Sequence, residues 1–351
     1  MVTRPGPCPG GRTRSRAGAF VRRSVDGILR KRSRGATGLC SAAVIREASI
    51  DDAVAAAALL AVVTPEFVTS APGTRHNMAT SPPEAQRLWW CIERQRTLVG
   101  WASVGLVVET SEAGAGWIGV TVHPDHRKQG IGTALADVAE RHARAIGVRR
   151  LRAWSRADDG TVSFANARCY EQTNSNDILV VDPRTVARPE PPAGVELLPF
   201  AAFVDDPSPI YHVDSVAFLD EPGDLTFDAL TLGRWLEYHW SHPLLDREVS
   251  AVAVVDGTPA AVTYVQTDRA TGRGTNSGTA TLPVHRGRGL ATLAKRASLS
   301  QAAELGITAV YTGNDVTNAA MQAINRKLGY EPCSTMLSWA RNLPVSPSRR
   351  I

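Results

Sequence analysis

The amino-acid sequence predicts an α/β fold made of two tandem domains, each built around a mixed, strongly twisted sheet. A repeated segment is the first reason: residues 124–132 (PDHRKQGIG) and residues 283–291 (PVHRGRGLA) share the pattern Pro-x-His-Arg-x-x-Gly. The second reason is that strand-like and helix-like segments follow one another in the same order around both copies. The third is length, because 351 residues with 43% hydrophobic content suffice for two domains with cores. A spacing of 159 residues is far too long for a solenoid, so it indicates duplication of one fold unit.

The first domain is predicted to begin near residue 44, where VIREASIDDAVAAAALLAVV has the pattern of a strand followed by a helix. Trp89 and Trp90 are predicted to lie on a helix. A glycine-rich turn separates the next two strands, and Gly147 is a natural end for the helix that follows them. These further elements are strands at 98–110 and 116–124, a helix at 131–147 and a strand at 148–154.

The second domain follows residues 187–194 (ARPEPPAG), which disfavour both helix and strand and form the predicted linker. Asp256 and Gly257 form a favoured two-residue turn between two strands. The predicted elements are strands at 249–255, 259–266, 278–283 and 307–314, with helices at 290–306 and 318–328. The predicted core residues of the longer helix are Leu290, Leu293, Ala297 and Leu305. The predicted boundaries are a disordered basic tail at 1–43, domains at 44–186 and 195–342, and a tail at 343–351.

Charge is distributed unevenly along the chain. Residues 1–43 hold ten Arg and Lys against one acid, a net charge of +9, so the rest of the chain carries −4 of the total of +5. This tail has too little apolar surface to offset the entropy of ordering; it is either a solvated extension or an arm that binds nucleic acid or another polyanion. No apolar run of about 18 residues predicts a membrane span, and no apolar stretch follows the basic start, so a cytoplasmic location is expected.

Several classes of site are excluded by their motifs. The five cysteines are odd in number, scattered and never spaced as Cys-x-x-Cys, so neither a disulfide framework nor a metal site is predicted. The repeated segments lack the Gly-Lys of a P-loop, and they lack the third glycine and the acid of a dinucleotide-binding fingerprint. Hydrolase, zincin and kinase signatures are absent as well.

The repeated segments, named here loop A (residues 124–132) and loop B (residues 283–291), have the chemistry of an anion site. Each precedes a predicted helix, whose first N–H groups lack partners and carry partial positive charge. Glycines let the backbone approach a phosphate closely, and an adjoining arginine adds a charge-assisted hydrogen bond. Two copies in the same context therefore predict a pyrophosphate-binding loop, with ordinary turn residues as the alternative.

The hexapeptides RKQGIG in loop A and RGRGLA in loop B resemble the R/Q-x-x-G-x-G/A signature of the GNAT superfamily of acyl-CoA N-acyltransferases. A near Gly-Phe pair after a later short helix adds to the likeness. It is Gly329-Tyr330 in the second domain and is degraded to Cys169-Tyr170 in the first. The resemblance covers about residues 44–340, and the layout is most similar to tandem GNAT proteins, of which the mycothiol synthases are one architectural relative.

This resemblance implies acetyl-CoA as the acyl donor, and no metal. A bulge is expected in the strand before each loop, with backbone amides there stabilising the oxyanion. The implied acetyl-CoA contacts in the second domain are Thr279, Ala280, Thr281, Arg286, Gly287, Arg288, Gly289, Leu290, Ala291, Asn314 and Asn318. In the first domain they are Val120, Thr121, Val122, Arg127, Lys128, Gln129, Gly130, Ile131 and Gly132. The second domain is expected to be the better site, because Ser155 stands in the first where Asn314 stands in the second.

The acid and the base depart from the family pattern. Many members use a tyrosine four residues before the Gly of the Gly-Phe pair as general acid, and that place holds Asn325 in the second domain and Ala165 in the first. Tyr311 is the candidate substitute. The candidate bases are His212, Asp214, Asp220 and Glu221. Deprotonation of the amine through a water chain is the alternative.

Together these features predict an N-acetyltransferase that moves an acetyl group from acetyl-CoA to a primary amine by direct attack, mainly in the second domain. The acceptor is left open among aminoglycosides, polyamines, amino-sugar conjugates and protein N-termini, and a monomer or homodimer is expected. The rival hypothesis is a non-catalytic acyl-CoA-binding or regulatory module. A nucleic-acid binder would depend on the basic tail alone.

Overall fold

The computed structural model describes residues 44–218 and 225–344, so the predicted tail at 1–43 lies outside the described residues. The first half (residues 44–186) contains β1 (Ile45–Glu47), α1 (Ala53–Val63), α2 (Ala71–Ala79), β2 (Leu88–Arg94), β3 (Thr97–Leu106), β4 (Ala115–Val122), α3 (Ile131–Ala145), β5 (Arg150–Arg156), α4 (Asp159–Ala167) and β6 (Glu171–Val181). The second half (residues 195–342) contains β7 (Val195–Pro199), α5 (Ser208–Phe218), α6 (Leu232–Trp235), β8 (Ala251–Val255), β9 (Thr258–Asp268), β10 (Arg273–Thr281), α7 (Leu290–Glu304), β11 (Ala309–Asp315), α8 (Ala319–Lys327) and β12 (Glu331–Asn342). Within these described ranges, no helix combines the length and the apolarity that crossing a bilayer requires.

All twelve strands form one mixed sheet, in the order β1-β2-β3-β4-β5-β12-β6-β11-β10-β9-β8-β7. β12, from the second half, lies between β5 and β6 and is antiparallel to both. β6, from the first half, pairs in turn with β11 of the second. The two halves therefore exchange their last strands, and the sheet of each half is completed by the other.

The exchange brings side chains of the second half into the core of the first. Trp339 of β12 is buried together with Val104 and Leu151 of the first half. Arg341, also on β12, pairs with the buried carboxylate of Glu140 on α3, with an Nη1 to Oε2 distance of 2.9 Å. Both apolar burial and a buried ion pair thus depend on the exchanged strand.

The predicted α/β class and the element order are confirmed, with one wrong assignment. The helices of loops A and B, α3 and α7, are each fifteen residues long and begin directly after Gly130 and Gly289. Asp256 and Gly257 both have positive φ, 49° and 81°, as the favoured hairpin turn requires. The helix predicted for Trp89 and Trp90 is wrong, because both lie in β2 and pair with β3. Aromatic residues are favoured in strands because they pack against the side chains of the neighbouring strand. That neighbour is not visible in a short stretch of sequence, which is why the segment was assigned to a helix.

The strand exchange predicts that the halves do not fold separately. We expect residues 44–188 expressed alone to be unfolded or insoluble, because β5 would present a bare edge and the core would lack Trp339. Co-expression with residues 189–344 is expected to restore a folded complex of equal stoichiometry. Size-exclusion chromatography and circular dichroism measure both outcomes. A folded monomer of residues 44–188 would contradict the exchange.

Candidate active site

Loops A and B have the same backbone shape. Each begins with a 3-10 turn, Pro124–His126 or Pro283–His285, and ends at a glycine that precedes a helix. Gly130 (φ 82°) precedes α3 and Gly289 (φ 77°) precedes α7, both in the left-handed region that favours glycine. Apart from the glycine and its two chain neighbours, no described residue has an atom within 4 Å of where a Cβ would stand at either position. The space before each helix N-terminus is therefore open to a ligand.

The arginine of each loop is hydrogen-bonded to the strand before it. Arg286 Nε donates to the carbonyl oxygen of Thr281 at 3.2 Å, and Arg127 Nε donates to that of Val122 at 3.3 Å. Each arginine thus holds its loop at the point where the strand ends. This positioning role was not expected from the sequence, and a direct phosphate contact by either arginine stays a prediction.

The loops differ at the residue that follows the arginine. Gly287 in loop B has φ 75°, whereas Lys128 takes the same left-handed conformation in loop A with φ 58°. A non-glycine residue pays a conformational cost there. In loop A the side chain of Gln129 is also engaged, by the guanidinium of Arg94 on β2. In loop B the equivalent side chain, Arg288, is engaged by His285 at 2.8 Å, so loop B differs as the less strained of the two anion sites.

Beyond loop B, strands β10 and β11 separate. They pair in parallel only from Arg273 to Asn276 of β10. We call the opening past this point, between residues 277–281 and residues 313–315, the slot. A register shift against β9 between Asn276 and Gly278 marks a β-bulge where the slot begins. The expected bulge is thus present in the second half, just before the segment in which the sequence placed it.

Asn276 holds this bulge through its buried side chain. Its Nδ2 donates to the carbonyl oxygen of Tyr264 at 2.9 Å and to Thr263 Oγ1 at 2.7 Å, and its Oδ1 accepts from Thr279 Oγ1 at 3.2 Å. From β11, Thr312 Oγ1 donates to the Asn276 main-chain oxygen at 3.3 Å. Side chains thus satisfy polar groups that strand pairing would otherwise satisfy, which keeps the slot open.

The first half lacks this device. β4 pairs with β5 over only three residues, yet it keeps a regular register with β3 as far as Val122. The bulge expected at residues 120–122 is therefore absent. Trp117 stands in register where the second half has Asn276, and its ring packs edge-on against Trp154 with centroids 5.2 Å apart. An indole cannot supply the three hydrogen bonds that hold the bulge.

An aromatic ring also lies against loop A. Phe164 of α4 has two ring atoms 3.6 Å from the Cβ position at Gly132, and Val122 lies at the same distance. The ring therefore packs where the start of α3 meets the end of β4. In the first half, this is the region through which a ligand would pass from loop A towards the sheet.

Asn314 of β11 indicates that the slot takes a ligand. Its side chain is buried, and its Nδ2 has no hydrogen-bond partner among the described residues. An unpaired buried amide costs about 1–3 kcal/mol, so a ligand group is expected to bond to it. Its counterpart Ser155 is satisfied by the protein, since Ser155 Oγ accepts from Trp339 Nε1 at 2.9 Å. The two halves are therefore unequal at the position where the sequence suggested an inequality.

Four other predicted residues are placed differently from the expectation or fall outside the description. Asn318 caps α8, with Oδ1 accepting from the Met321 N–H at 3.1 Å. Tyr311 was assumed to end its strand, which is wrong: it lies in the paired part of β11, with the Arg273 guanidinium 5.1 Å from its ring centre. It is therefore outside the slot. The candidate bases Asp220 and Glu221 lie outside the described residues.

Asp214 on α5 is a candidate base beside the slot, whereas His212 on the same helix is exposed. Asp214 Oδ2 accepts a hydrogen bond from Trp235 Nε1 at 2.9 Å. Burial raises the pKa of Asp214 to about 6, and the bond from Trp235 opposes that rise. Burial and the Asp214 charge raise the pKa of Tyr264 well above its usual value. Tyr264 pairs with Gly278 at the bulge, so a carboxyl group that titrates close to neutrality lies near the slot.

One group of described residues has the chemistry of a metal site. Asp52, Cys91 and Glu93 lie close together in the first half. Arg46 forms ion pairs with both carboxylates, at 2.6 Å from Asp52, and its hydrogen bond holds the pKa of Asp52 at about 2. The guanidinium supplies the positive charge that a metal would supply, so we interpret the group as an ion-pair network.

Comparison with known families agrees with this geometry. The sequence pattern of the acetyltransferase (GNAT) family matches residues 57–172 and residues 210–330, which together are more than half of the chain. The chain belongs to the GNAT family. It is a tandem GNAT N-acetyltransferase, in which each matched segment contains one of the two loops.

Individual relatives extend over most of this GNAT chain. A mycothiol acetyltransferase from Saccharomonospora viridis is 27% identical over an alignment of 247 residues that covers 63% of this chain and 72% of that protein. A GCN5-related N-acetyltransferase from Sphaerobacter thermophilus has a TM-score of 0.64 at 18% identity, over 86% of this chain and 95% of its own. A tandem GNAT protein from the clavulanic acid biosynthesis pathway has a TM-score of 0.65 at 21% identity, over 87% and 99%. The two structures share the fold of this GNAT chain.

Gly289→Glu and Gly130→Glu form a matched pair that tests the two loops. Each places a carboxylate in the open space before a helix and carries the same left-handed strain, about 1–2 kcal/mol. We expect Gly289→Glu to weaken acetyl-CoA binding by about a hundredfold or more, because like charges would meet at the pyrophosphate. Gly130→Glu is expected to leave the affinity unchanged. Calorimetric titration measures both, and a loss confined to Gly130→Glu would assign binding to loop A instead.

Proposed function

We propose that the second half transfers an acetyl group from acetyl-CoA to the primary amine of a small molecule. Asn314 carries this proposal, because its buried and unpaired amide lies at the slot that opens beyond loop B. Loop B offers helix N–H groups to the pyrophosphate, and the slot accommodates the pantetheine arm between two strands. A phosphate site that continues into a slot with an unpaired amide favours an acyl-CoA over a free phosphate.

The strand beside the slot supplies the electrostatic part of catalysis. Residues 278–281 of β10 pair with β9 on one side but have no strand partner on the slot side. Main-chain N–H groups directed into the slot would hold the thioester oxygen and stabilise the negative charge that develops there. Thr279, Ala280 and Thr281 are the residues that we assign to this role, together with the loop B residues for the phosphates.

Asp214 is assigned as the general base. The amine nitrogen attacks the thioester carbon, a carbon–nitrogen bond forms and the carbonyl electron pair moves to oxygen. The tetrahedral intermediate collapses with cleavage of the carbon–sulfur bond, whose electron pair goes to sulfur. The proton lost by the amine passes to Asp214, whose pKa of about 6 suits a base that works near neutral pH.

The first half is assigned a structural role at the second half's site. Val68 N, from the segment between α1 and α2, donates to Thr275 Oγ1 on β10 at 3.3 Å. His76 of α2 lies edge-on to His242 of the second half, with ring centroids 4.9 Å apart. These contacts bring the first half against the sheet near the slot, while Trp117 and Phe164 occupy its own equivalent region. One working site per chain follows.

The acceptor is tested by steady-state CoA release over a panel of amines. The panel includes aminoglycosides, polyamines, amino-sugar conjugates and, because one relative is named a mycothiol acetyltransferase, the amine substrate of that enzyme. Release of CoA that depends on an amine supports the proposal. Tight acetyl-CoA binding with no release for any amine would support the rival, an acyl-CoA-binding module without catalysis.

The stoichiometry of acetyl-CoA binding tests the inequality of the two halves. We expect one site per chain, because only the second half combines the open loop, the bulge and the unpaired Asn314 amide. Isothermal titration of acetyl-CoA into residues 44–351 gives the number directly. Two sites would show that loop A binds despite Phe164, and an absence of binding would contradict the proposed donor.

The pH dependence of kcat/KM tests Asp214. A base must be deprotonated, so activity is expected to rise with pH through about 6 and then level off. Asp214→Asn is expected to lower kcat by about 10²–10⁴-fold and to remove this limb. Because burial raises the pKa of Asp214, folding disfavours its charged form, and the neutral amide is not expected to destabilise the protein at pH 7. The control is Asp205→Asn at an exposed position; an unchanged limb in Asp214→Asn would exclude Asp214 as the base.

A further inference from the structure

The segment that joins α1 to α2 in the first half, residues 64–70, crosses onto the sheet of the second half. We call this segment the bridge. At one end, Glu66 Oε1 accepts a hydrogen bond from Ser334 Oγ on β12 at 3.3 Å. At the other end, Val68 N donates to Thr275 Oγ1 on β10, also at 3.3 Å. Because β6 and β11 lie between those two strands, the bridge passes over both of them.

The bridge lies on the face of the sheet that α5 covers. Tyr264 of β9 packs with residues of α5, and its ring lies 3.5 Å from the Cβ position of Gly278 at the bulge. Gln266 shares the face of Tyr264 and pairs with Thr275, so the contact of the bridge with Thr275 is on this face too. The proposed base, Asp214, lies on α5. The acceptor amine must reach that base, so the acceptor is expected on the face that carries the bridge.

Register places the carboxylate of the bridge close to the slot. Gly313, which lines the slot, pairs with Ile178 of β6, and Ile178 pairs with Ser334 of β12. A Cβ at Gly313 would lie 3.1 Å from Ile178 Cδ1, so the two positions share a face. Neighbouring strands are about 4.8 Å apart, which puts Ser334 about 10 Å from Gly313. Glu66 bonds to Ser334 and therefore lies at about this distance from the slot.

Glu66 holds an arginine at this place. Arg156, at the end of β5, donates from Nη1 to Glu66 Oε2 at 2.8 Å. The side chain of Glu66 is only 4% exposed, whereas that of Arg156 is 35% exposed. The remaining guanidinium N–H groups of Arg156 are thus open to solvent. A guanidinium that is fixed on one side by a buried carboxylate and open on the other is suited to bind a carboxylate or a phosphate.

A second guanidinium adds positive charge to the same face. Arg273 of β10 lies two residues before Thr275 and shares its face. Its Cζ is 5.1 Å from the centre of the Tyr311 ring, and its Nη2 is buried without a partner among the described residues. Asp268, opposite on β9, instead accepts from Ala270 N within its own turn. The region of the bridge therefore favours an anion.

The corresponding segment of the second half, between α5 and α6, meets the first half with apolar residues. Its Leu225 is buried in a cluster with Val107 and Ala115 of the first half. Each half thus lays a connecting segment on the sheet of the other, and a leucine suffices for that packing in the half without the bulge. The fold alone does not account for the buried carboxylate of Glu66 in the segment that covers the half with the slot.

We propose that Arg156, held by Glu66, binds an anionic oxygen group of the acceptor, an inference that rests on the proposed function. The acceptor amine lies beside the slot and Asp214, and its carboxylate or phosphate lies about 10 Å away at Arg156. The acceptor class is therefore an amine that also carries a carboxylate or a phosphate. Arg156 determines specificity by touching this group, and Glu66 is a positioning residue. Both come from the first half, so the acceptor site of the second half is incomplete without it.

The test measures binding of acceptor analogues to the full chain saturated with CoA, by calorimetric titration. The probes are 8-aminooctanoate, its neutral amide and an aminoalkyl phosphate of equal length, whose extended chains span about 10 Å. We expect one of the two anionic probes to bind wild type about tenfold or more tightly than the amide, because hydrogen bonds between charged groups are strong. Tighter binding of the carboxylate assigns an amino-acid-like acceptor, and tighter binding of the phosphate assigns a phosphorylated amine.

A double variant, Glu66→Leu with Arg156→Met, removes the ion pair without leaving a buried carboxylate unpaired. We expect it to bind the anionic probes and the amide equally, with an unchanged affinity for CoA. Arg156→Lys keeps the charge but loses the planar fork, and is expected to reduce the preference severalfold. The control is Arg188→Met with Glu304→Leu, an exposed ion pair, which is expected to keep the wild-type preference.

Equal binding of the anionic probes and the amide to wild type, or binding of none of them, would overturn the inference. A preference that survives in the folded double variant would overturn it as well; if that variant does not fold, wild type and Arg156→Lys decide. The proposed function is measured separately, by CoA release over the panel of amines. Release without a preference for anionic probes would leave that function intact and remove the subsite. If wild type binds no CoA, the proposed function fails and the inference with it.

Discussion

The pairing of β12 with β5 is the constraint on which the rest of the structure depends. A sheet edge left bare exposes unpaired N–H and C=O groups, and here each half covers the inner edge of the other with its own last strand. One continuous sheet results, so the halves cannot rotate against each other without breaking backbone hydrogen bonds. This rigidity allows the segment after α1 to reach Thr275 on β10 with a main-chain donor. A site in the second half can therefore be shaped by residues of the first.

The same exchange helps to explain why the halves have diverged. Trp339 enters the first half with β12, fills its core and donates to Ser155, so the position equivalent to Asn314 is satisfied by protein. β6 brings Asp177 into register with Asn314 in return, yet Asn314 Nδ2 has no hydrogen-bond partner among the described residues. The first half thus has a hydrogen-bonded serine at this position, and the second half has an asparagine with an unpaired amide. A duplicated fold with exchanged strands need not keep two equal sites.

Local features of the site were predictable from the sequence, and long-range ones were not. Gly130 and Gly289 are required by backbone conformation, so their place before a helix can be read from a few neighbouring residues. The strand exchange cannot be read from neighbouring residues in this way, because the sequences of β6 and β12 would suit pairing with strands of either half. Asp214 was one of four candidate bases, and its raised pKa comes from burial, opposed by hydrogen bonds with Trp235 and Tyr264, in a tertiary setting built by residues distant in sequence. The predicted core face of α7 was partly wrong: of the four predicted residues only Leu290 is fully buried, whereas Lys295 and Ser298 are buried there although their residue types usually indicate solvent.

The burial of Lys295 bears on function because the first half of the same chain has an alanine at the equivalent position. Ala136 shows that the helix packs on the sheet with an apolar residue at that position, and natural proteins readily accept substitutions that stabilise a core. Lys295 Nζ donates to Asn325 Oδ1 at 2.7 Å and to Met321 Sδ at 4.0 Å, and no carboxylate among the described residues pairs with it, so no ion pair offsets its burial. Residues that break the usual burial or secondary-structure preferences, and add no stability by doing so, are often functional. The bulge at Asn276 and the unpaired amide of Asn314 occur in the second half at one slot, and the buried Lys295–Asn325 pair lies in the same half. The proposed acyl transfer from a CoA thioester gives the first two a use, as an opened strand and a ligand contact.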